Sequence, residues 1–354
     1  MIAIIVGTRP EIIKMSPIIR ACEEDRIPYY LLHTGQHYSY EMDRVFFDEL
    51  ELPHADYNLD VGSGNHGEQT AKILQGIEKI LMTRRTDVVL VQGDTNTVMA
   101  GALAAAKLHI PVGHVEAGLR SFDRRMPEEI NRVVADHVSD LLFAPTDTAR
   151  DNLLGEGIPG DKIHVTGNTI VDAVFQNLDI ARRKGEVLDD LGITPGKYFL
   201  VTAHRAENVD DRSRLAGIIE GLRDIQEETG LPVILPIHPR TQKMLSTFGI
   251  PTGSIRTIVP VGFLEFLQLE ANARLVLTDS GGVQEETCIL GVPCVTLREN
   301  TERPETLAVG SNMLAGTAPV SIAEAVRRML GSEARWTNPF GDGTAGRRIT
   351  GLCS

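Results

Sequence analysis

The sequence predicts an α/β chain built from two doubly wound parallel-sheet domains. Three observations carry this. The chain has 354 residues, room for two domains of ordinary size, each with its own core. Its short apolar runs are rich in Val, Ile and Leu and do not alternate with polar residues, the pattern of strands buried on both faces. Longer amphipathic stretches separate these runs, as parallel βαβ units require.

In chain order the first strand candidates are Ile2–Val6, Tyr29–His33, Val88–Gln92, Val112–Val115, Leu141–Ala144 and Ile163–Val165. A second set comprises Tyr198–Thr202, Val233–Pro236, Thr257–Val259, Arg274–Thr278 and Cys294–Leu297. Helical stretches between them are Pro10–Asp25, Tyr40–Leu50, Gly67–Arg84, Thr95–Lys107, Glu128–Val138, Thr146–Glu156, Thr169–Lys184, Ser213–Thr229, Val283–Leu290 and Ile322–Leu330. So many strands exceed one ordinary open sheet, so the chain is divided in two. The seam is expected near Thr166–Asn168, giving a first domain over 1–168 and a second over 169–336. A polar loop is expected around Gly185–Lys197.

Acidic side chains number 48 and basic ones 35, a formal net charge of −13. That excludes a general nucleic-acid or acidic-membrane binder, which needs a basic surface. It does not exclude an anionic small molecule held by a few local cations. Cys22, Cys288, Cys294 and Cys353 form no C-x-x-C pair and no metal-ligand spacing with His. They suit a reducing compartment. The opening apolar run is too short for a signal segment, and no stretch is long enough to span a membrane. The expected location is cytoplasmic.

Ligands of open parallel sheets bind beyond the carboxyl ends of strands, and unusual residues gather there. Arg9 and Lys14 follow the first run, Asp94 the run at 88–92, and Glu116 the run at 112–115. His204 and Arg205 follow 198–202, and His238 follows 233–236. Ser280-Gly281-Gly282 follows 274–278 and opens a helix bearing Glu286. A single such residue reads more readily as a cap or turn former than as part of a site; their recurrence in one topological place points to an interdomain cleft. A glycine-rich turn at a helix start presents free N–H groups to a phosphate. Asp94 and Glu116 follow buried strands, where a solvated charge gains nothing, so they are candidates for paired acid–base work. Glu129 reads as a residue compensating the helix dipole. Gly62–Gly67 matches G-x-G-x-x-G, but the preceding His54–Asp60 is polar and acidic without a buried-strand pattern. The dinucleotide reading is therefore set aside.

The motifs GTRPEIIKMSPI (7–18), QGDTNT (92–97), HVEAGLRS (114–121), PEEINR (127–132), VTGNTIVD (165–172), AHRAEN (203–208), TDSGGVQEE (278–286) and TERPET (301–306) occur in order. Together they resemble the non-hydrolysing UDP-N-acetylglucosamine 2-epimerases along nearly the whole chain. The resemblance implies two Rossmann-like domains of glycosyltransferase-B type, with a C-terminal helix in 337–354 packed back on the first. It implies conversion of UDP-N-acetylglucosamine to UDP-N-acetylmannosamine through elimination of UDP to a 2-acetamidoglucal and re-addition. It further implies no cofactor, no metal and a homodimer, in a pathway of polysaccharide biosynthesis.

By motif position, Asp94, Glu116 and Glu128 resemble the catalytic acids, with His204 and Arg132 as further catalytic candidates. Arg9, Lys14, Arg205, His238, Phe266, Ser280, Gly281, Gly282, Glu286 and Arg303 resemble the substrate-binding set. Glu286 is placed to accept ribose hydroxyls, Phe266 to pack on uracil, and Arg303 to assist at the pyrophosphate. Two departures bear on activation by a second substrate molecule. The segment 36–43 is longer than in many bacterial members, and Ala206 replaces a cation of their HRREN motif. Weak or altered activation is expected. Rival readings are a hydrolysing epimerase, a glycosyltransferase of the same fold and a nucleotide-sugar sensor.

Overall fold

The computed structural model of the chain describes residues 1–36, 40–185, 187–331 and 336–353, with backbone alone for 40–43. Part of the 36–43 segment singled out above therefore lies outside the described residues. The chain divides into two compact units, Met1–Gln176 with Phe340–Ser354, and Asn177–Pro339. The division falls inside the helix Thr169–Lys184.

The first unit contains β1 (Ile2–Val6), β2 (Tyr29–His33), β3 (Tyr57–Asn58), β4 (Val88–Gln92), β5 (Val112–Val115), β6 (Leu141–Ala144) and β7 (Ile163–Val165). They form one sheet in the order β3-β2-β1-β4-β5-β6-β7, every pair parallel. The second unit contains β8 (Phe199–Thr202), β9 (Val233–Pro236), β10 (Arg256–Ile258), β11 (Leu275–Thr278), β12 (Cys294–Thr296) and β13 (Asn312–Leu314). Their order is β10-β9-β8-β11-β12-β13, again parallel throughout. Each unit is a Rossmann-like domain. Strand order reverses between β1 and β4 in one and between β8 and β11 in the other, and these switch points are where such sheets open to ligands.

The central strands are apolar along most of their length because helices cover both faces. Ala3, Ile5, Val89 and Val91 pack with Ile73, Ile77, Val98 and Ala102 of the helices His66–Leu81 and Asn96–Lys107. Phe199, Val201 and Leu277 pack with Leu215, Ile218 and Leu222 of Arg212–Thr229. Each fully buried Val, Leu, Ile or Phe among them contributes about 1.5–3 kcal/mol.

Several elements differ from expectation. The stretch before Gly62 does hold a strand, β3, but only two residues long and half-buried at the sheet edge. The stretch 185–197 is not merely a loop. Val187–Leu191 is helical, and Val187 and Leu188 are buried in the second unit's core. The helices Pro239–Phe248 and Phe263–Ala271 and the strand β13 carried no recognised signal. The last helix, Ala345–Leu352, packs on Arg9–Asp25 so closely that a Cβ on Gly346 would lie 2.9 Å from the Pro17 backbone. Its first N–H groups, from Ala345 and Gly346, donate to Asp172 at 3.3 and 3.0 Å. Among the described residues no helix is long and apolar enough to cross a membrane.

Candidate active site

In the first unit the site begins where β1 ends. Gly7 must be glycine, since an added Cβ would lie 2.1 Å from Thr97 Oγ1 and 2.4 Å from Thr34 Oγ1. The tight turn sends Thr8 into the cap of Arg9–Asp25, whose first turns carry Arg9 and Lys14. The Arg9 guanidinium lies over the Phe46 ring, 5.6 Å from its centroid. Lys14 Nζ reaches Glu116 Oε1 at 2.5 Å, with both side chains largely buried.

Glu116 follows β5 in a left-handed conformation, φ +68°, which costs a non-glycine residue about 1–2 kcal/mol. Surrounding contacts hold it there. Gln92 donates to Glu116 Oε2, and Asn168 donates to Oε1 at 3.0 Å. The turn that follows is fixed by a buried charge cluster. His114 Nδ1–H donates to Asp136 Oδ1 at 2.6 Å, and Nε2–H donates to the Gly93 carbonyl at 2.8 Å. Arg120 spans Asp136 at 2.7 Å and Glu156 at 2.6 Å, and Gly118 N–H donates to Asp136 at 3.2 Å. Burial opposes a charged His114, yet the Asp136 carboxylate and Gly93 carbonyl outweigh it and hold its pKa above the ordinary histidine value.

Asp94 follows β4, the strand beside β5. Its carboxylate pairs with Arg132, and Asn131 donates to its carbonyl at 2.9 Å. Arg132 also reaches Glu129 at 3.1 Å. Glu129 does more than offset a helix dipole. It is buried and accepts from the Ser121 and Phe122 N–H groups, each at 3.0 Å, fixing the loop after Glu116. Glu128 stands exposed in the first turn of Pro127–Val138.

Glu11 was not singled out from sequence. Its buried carboxyl accepts from Gly7 N–H at 2.5 Å and from the Thr95 hydroxyl at 2.5 Å, tying the turn after β1 to the turn bearing Asp94. Burial pushes it up to about 7, against the pull of those donors, and the Asp94 charge adds to the rise.

The second unit has its own cluster around the buried Asp279. That carboxylate accepts from His204 N–H and Arg205 N–H, both at 2.9 Å, and from Asn208 at 3.1 Å, with His204 Nδ1 3.2 Å away. Burial raises its pKa, but His204 and these donors prevail and keep it below the usual carboxylate value. The rings of His204 and His238 lie 5.8 Å apart. His238 caps Pro239–Phe248, its Nδ1 accepting from Arg240 N–H at 3.2 Å. Burial and its cationic neighbours lower its pKa.

Ser280 precedes Gly281–Leu290, so Gly281 and Gly282 form the helix's first turn. Arg303 pairs with the buried Glu285 at 2.7 Å. Glu286 is buried, and Phe266 is half-buried against the apolar cluster containing Val276 and Val283. The first unit thus gathers Arg9, Lys14, Asp94, Glu116 and Arg132 at the ends of β1, β4 and β5. The second gathers His204, Arg205, His238 and Ser280–Gly282 at the ends of β8, β9 and β11.

The chain thus joins two Rossmann-like domains, one with cation-paired carboxylates at its strand ends and one with a glycine-opened helix. Comparison with known proteins narrows the class. The family model described as UDP-N-acetylglucosamine 2-epimerase matches residues 20–353. A UDP-N-acetylglucosamine 2-epimerase of Methanocaldococcus jannaschii is 58% identical over 355 residues, covering 98% of this chain and 97% of that one. A crystal structure of the M. jannaschii enzyme in complex with UDP-GlcNAc and UDP superposes with a TM-score of 0.87 at 57% identity, covering 99% of this chain and 98% of the other. A UDP-2,3-diacetamido-2,3-dideoxy-D-glucuronate 2-epimerase of Pseudomonas aeruginosa is 43% identical, covering 98% of this chain and 97% of that one. The chain belongs to the UDP-N-acetylglucosamine 2-epimerase family, whose members are isomerases.

Proposed function

We propose that the chain interconverts UDP-N-acetylglucosamine and UDP-N-acetylmannosamine by eliminating UDP to a 2-acetamidoglucal and re-adding it, without hydrolysis. The observation that carries this is the pair Asp94 and Glu116. The two carboxylates end adjacent strands, and each is held by its own cation, Arg132 and Lys14. Inversion at C2 needs a proton removed from one face and another delivered to the opposite face, so two separately held acid–base groups are required. Negative charge beside the anomeric carbon stabilises an oxocarbenium-like state as the C1–O bond breaks. In the second unit, the N–H groups opening Gly281–Leu290, with Arg205 and His238, suit the diphosphate. Glu286 takes the ribose hydroxyls and Phe266 the uracil. Glu128 and His204 assist from their respective units. The chain acts as a homodimer in the cytoplasm, and gel filtration of the pure protein tests its assembly.

Incubation with UDP-N-acetylglucosamine in D2O, followed by proton NMR, tests the reaction. The expected product is UDP-N-acetylmannosamine with deuterium at C2 and no lasting release of UDP. Free N-acetylmannosamine instead supports a hydrolase, no change without an acceptor supports a transferase, and binding alone supports a sensor. Offering the diacetamido-glucuronate nucleotide in parallel fixes the sugar. Asp94→Asn is expected to lose at least about 10²-fold in rate while UDP binding survives; normal turnover refutes its role.

A further inference from the structure

One imidazole spans the two turns that carry Asp94 and Glu116. His114 lies on β5, opposite Val91 of β4 in the sheet register, and its ring is fully buried. Nε2 meets the Gly93 carbonyl at 2.8 Å, and Nδ1 meets Asp136 Oδ1 at 2.6 Å. A carbonyl has no proton to give. Burial pushes the Asp136 carboxyl up, but His114 and Arg120 prevail and keep it below the usual carboxylate value. That carboxylate also accepts from Arg120 at 2.7 Å and from Gly118 N–H at 3.2 Å. Both partners of the ring therefore only accept, so both ring nitrogens donate, and a histidine that donates twice is an imidazolium.

The two bonds join backbone that the sequence keeps apart. Gly93 immediately precedes Asp94, and His114 stands two residues before Glu116. The Gly93 bond thus ties the Asp94 turn to the strand that ends in Glu116. The Asp136 bond orients the ring, and Asp136 also holds Gly118 on the far side of Glu116. The two turns touch: a Cβ on Gly93 would lie 3.9 Å from Glu116 Oε2. Lys14 and Arg132 grip the carboxylates themselves, but through long side chains with many rotamers. A side chain with a single donor satisfies one end of the bridge and leaves a buried acceptor unpaired at the other.

We infer that His114 is a positioning residue for the acid–base pair: held by Asp136 and donating to the Gly93 carbonyl, it fixes the spacing of the Asp94 and Glu116 carboxylates. This rests on the reading of Asp94 and Glu116 as that pair. Inversion at C2 takes a proton from one face and delivers one to the other, so the two carboxylates need a set spacing as well as a set charge. A displacement of about 1 Å costs about 10²-fold in rate.

Two variants of the full chain separate the two bonds. In His114→Asn the amide nitrogen stands where Nδ1 stood and donates to Asp136, and nothing reaches Gly93. In His114→Gln the amide nitrogen stands where Nε2 stood and donates to Gly93, and the Asp136 bond is lost. Urea unfolding and steady-state kinetics are measured for both, beside Asp94→Asn. Stability is expected to favour His114→Asn, which keeps a partner on the buried carboxylate. Activity is expected to run the other way: kcat falls about 10²-fold in His114→Asn and less than about tenfold in His114→Gln, with KM close to wild type in both. A kcat order that follows stability, with His114→Asn the more active, overturns the inference. Wild-type kcat in both variants, with Asp94→Asn inactive, overturns this inference alone. Normal turnover in Asp94→Asn overturns the acid–base reading, and the inference with it. Nitrogen-15 NMR of the wild type tests the bridge even where a variant fails to fold. A histidine with two ring N–H protons shielded from exchange near neutral pH is expected, and its absence overturns the inference.

Discussion

Asp136→Asn probes the cluster that fixes the Glu116 turn. The His114, Asp136 and Arg120 side chains are 0%, 0% and 1% exposed, so water cannot replace a lost partner. The carboxylate takes three donors, from His114, Arg120 and Gly118. An asparagine offers one acceptor oxygen, and its NH2 must face one of them. Removing one partner of a buried ion pair costs about 3–5 kcal/mol. His114 can shed its proton and limit the damage, so the lower end, about 3 kcal/mol, is expected. For a domain of 150–250 residues this lowers Tm by about 6–12 °C. Because the folded-state pKa of His114 is raised, its share is fully present below the unfolded value of about 6.5. That share is lost as pH rises through the folded value. Urea unfolding at several pH values should therefore show a penalty that shrinks as pH rises. Steady-state kinetics should show kcat falling more than KM rises, since the turn carries Glu116. A penalty below about 1 kcal/mol, or one that grows with pH, refutes the reasoning.

Three further outcomes follow from the geometry. Gly7→Ala should destabilise the first unit by more than the ordinary overpacking cost of about 1–3 kcal/mol, because Thr97 and Thr34 are hydrogen-bonded to each other at 2.8 Å and cannot yield; thermal melting reads this. Glu302 is desolvated, yet Arg298 holds its pKa down to about 2. Its stabilising share is present above the unfolded value of about 4.3 and lost as pH falls through about 2, so Arg298→Met should weaken urea resistance at neutral pH and converge with wild type in acid. With Ala206 in place of a cation, initial rates should rise without marked sigmoidicity as UDP-N-acetylglucosamine increases; clear sigmoidicity, with UDP-N-acetylmannosamine inert alone, refutes this.

Much of the architecture was legible because central parallel strands must be apolar on both faces, and runs such as Val88–Gln92 admit few alternatives. The edge strands β7 and β10 were read as well, but the edge strands β3 and β13 were not. β13 opens with Asn312, and β3 pairs over two residues, too short for any periodicity. Pro239–Phe248 is largely polar, with Thr241 and Leu245 its buried residues. The candidate site was legible as polar groups placed at the ends of buried strands, as at Asp94 and Glu116. Its supports were not, because each acts on a residue distant in sequence. Glu11 meets Thr95 across 84 positions, and Asn168 meets Glu116 across 52. Glu129 looked like an ordinary helix-starting acid, and only the folded loop shows that it anchors Ser121 and Phe122.

The docking of Ala345–Leu352 on the first helix has a consequence for how the chain is made. The first unit is interrupted: everything from Asn177 to Pro339 is synthesised before Phe340–Ser354 can complete it. At ribosomal rates of about 5–20 residues per second, that interval lasts roughly 8–33 s. Throughout it, the Pro17 backbone that Gly346 will cover and the Asp172 carboxylate that will cap the last helix stay open. The second unit can therefore finish folding before the first one closes. A premature stop anywhere before residue 340 leaves the nascent first unit with an uncovered seam, a natural handle for chaperones and proteases.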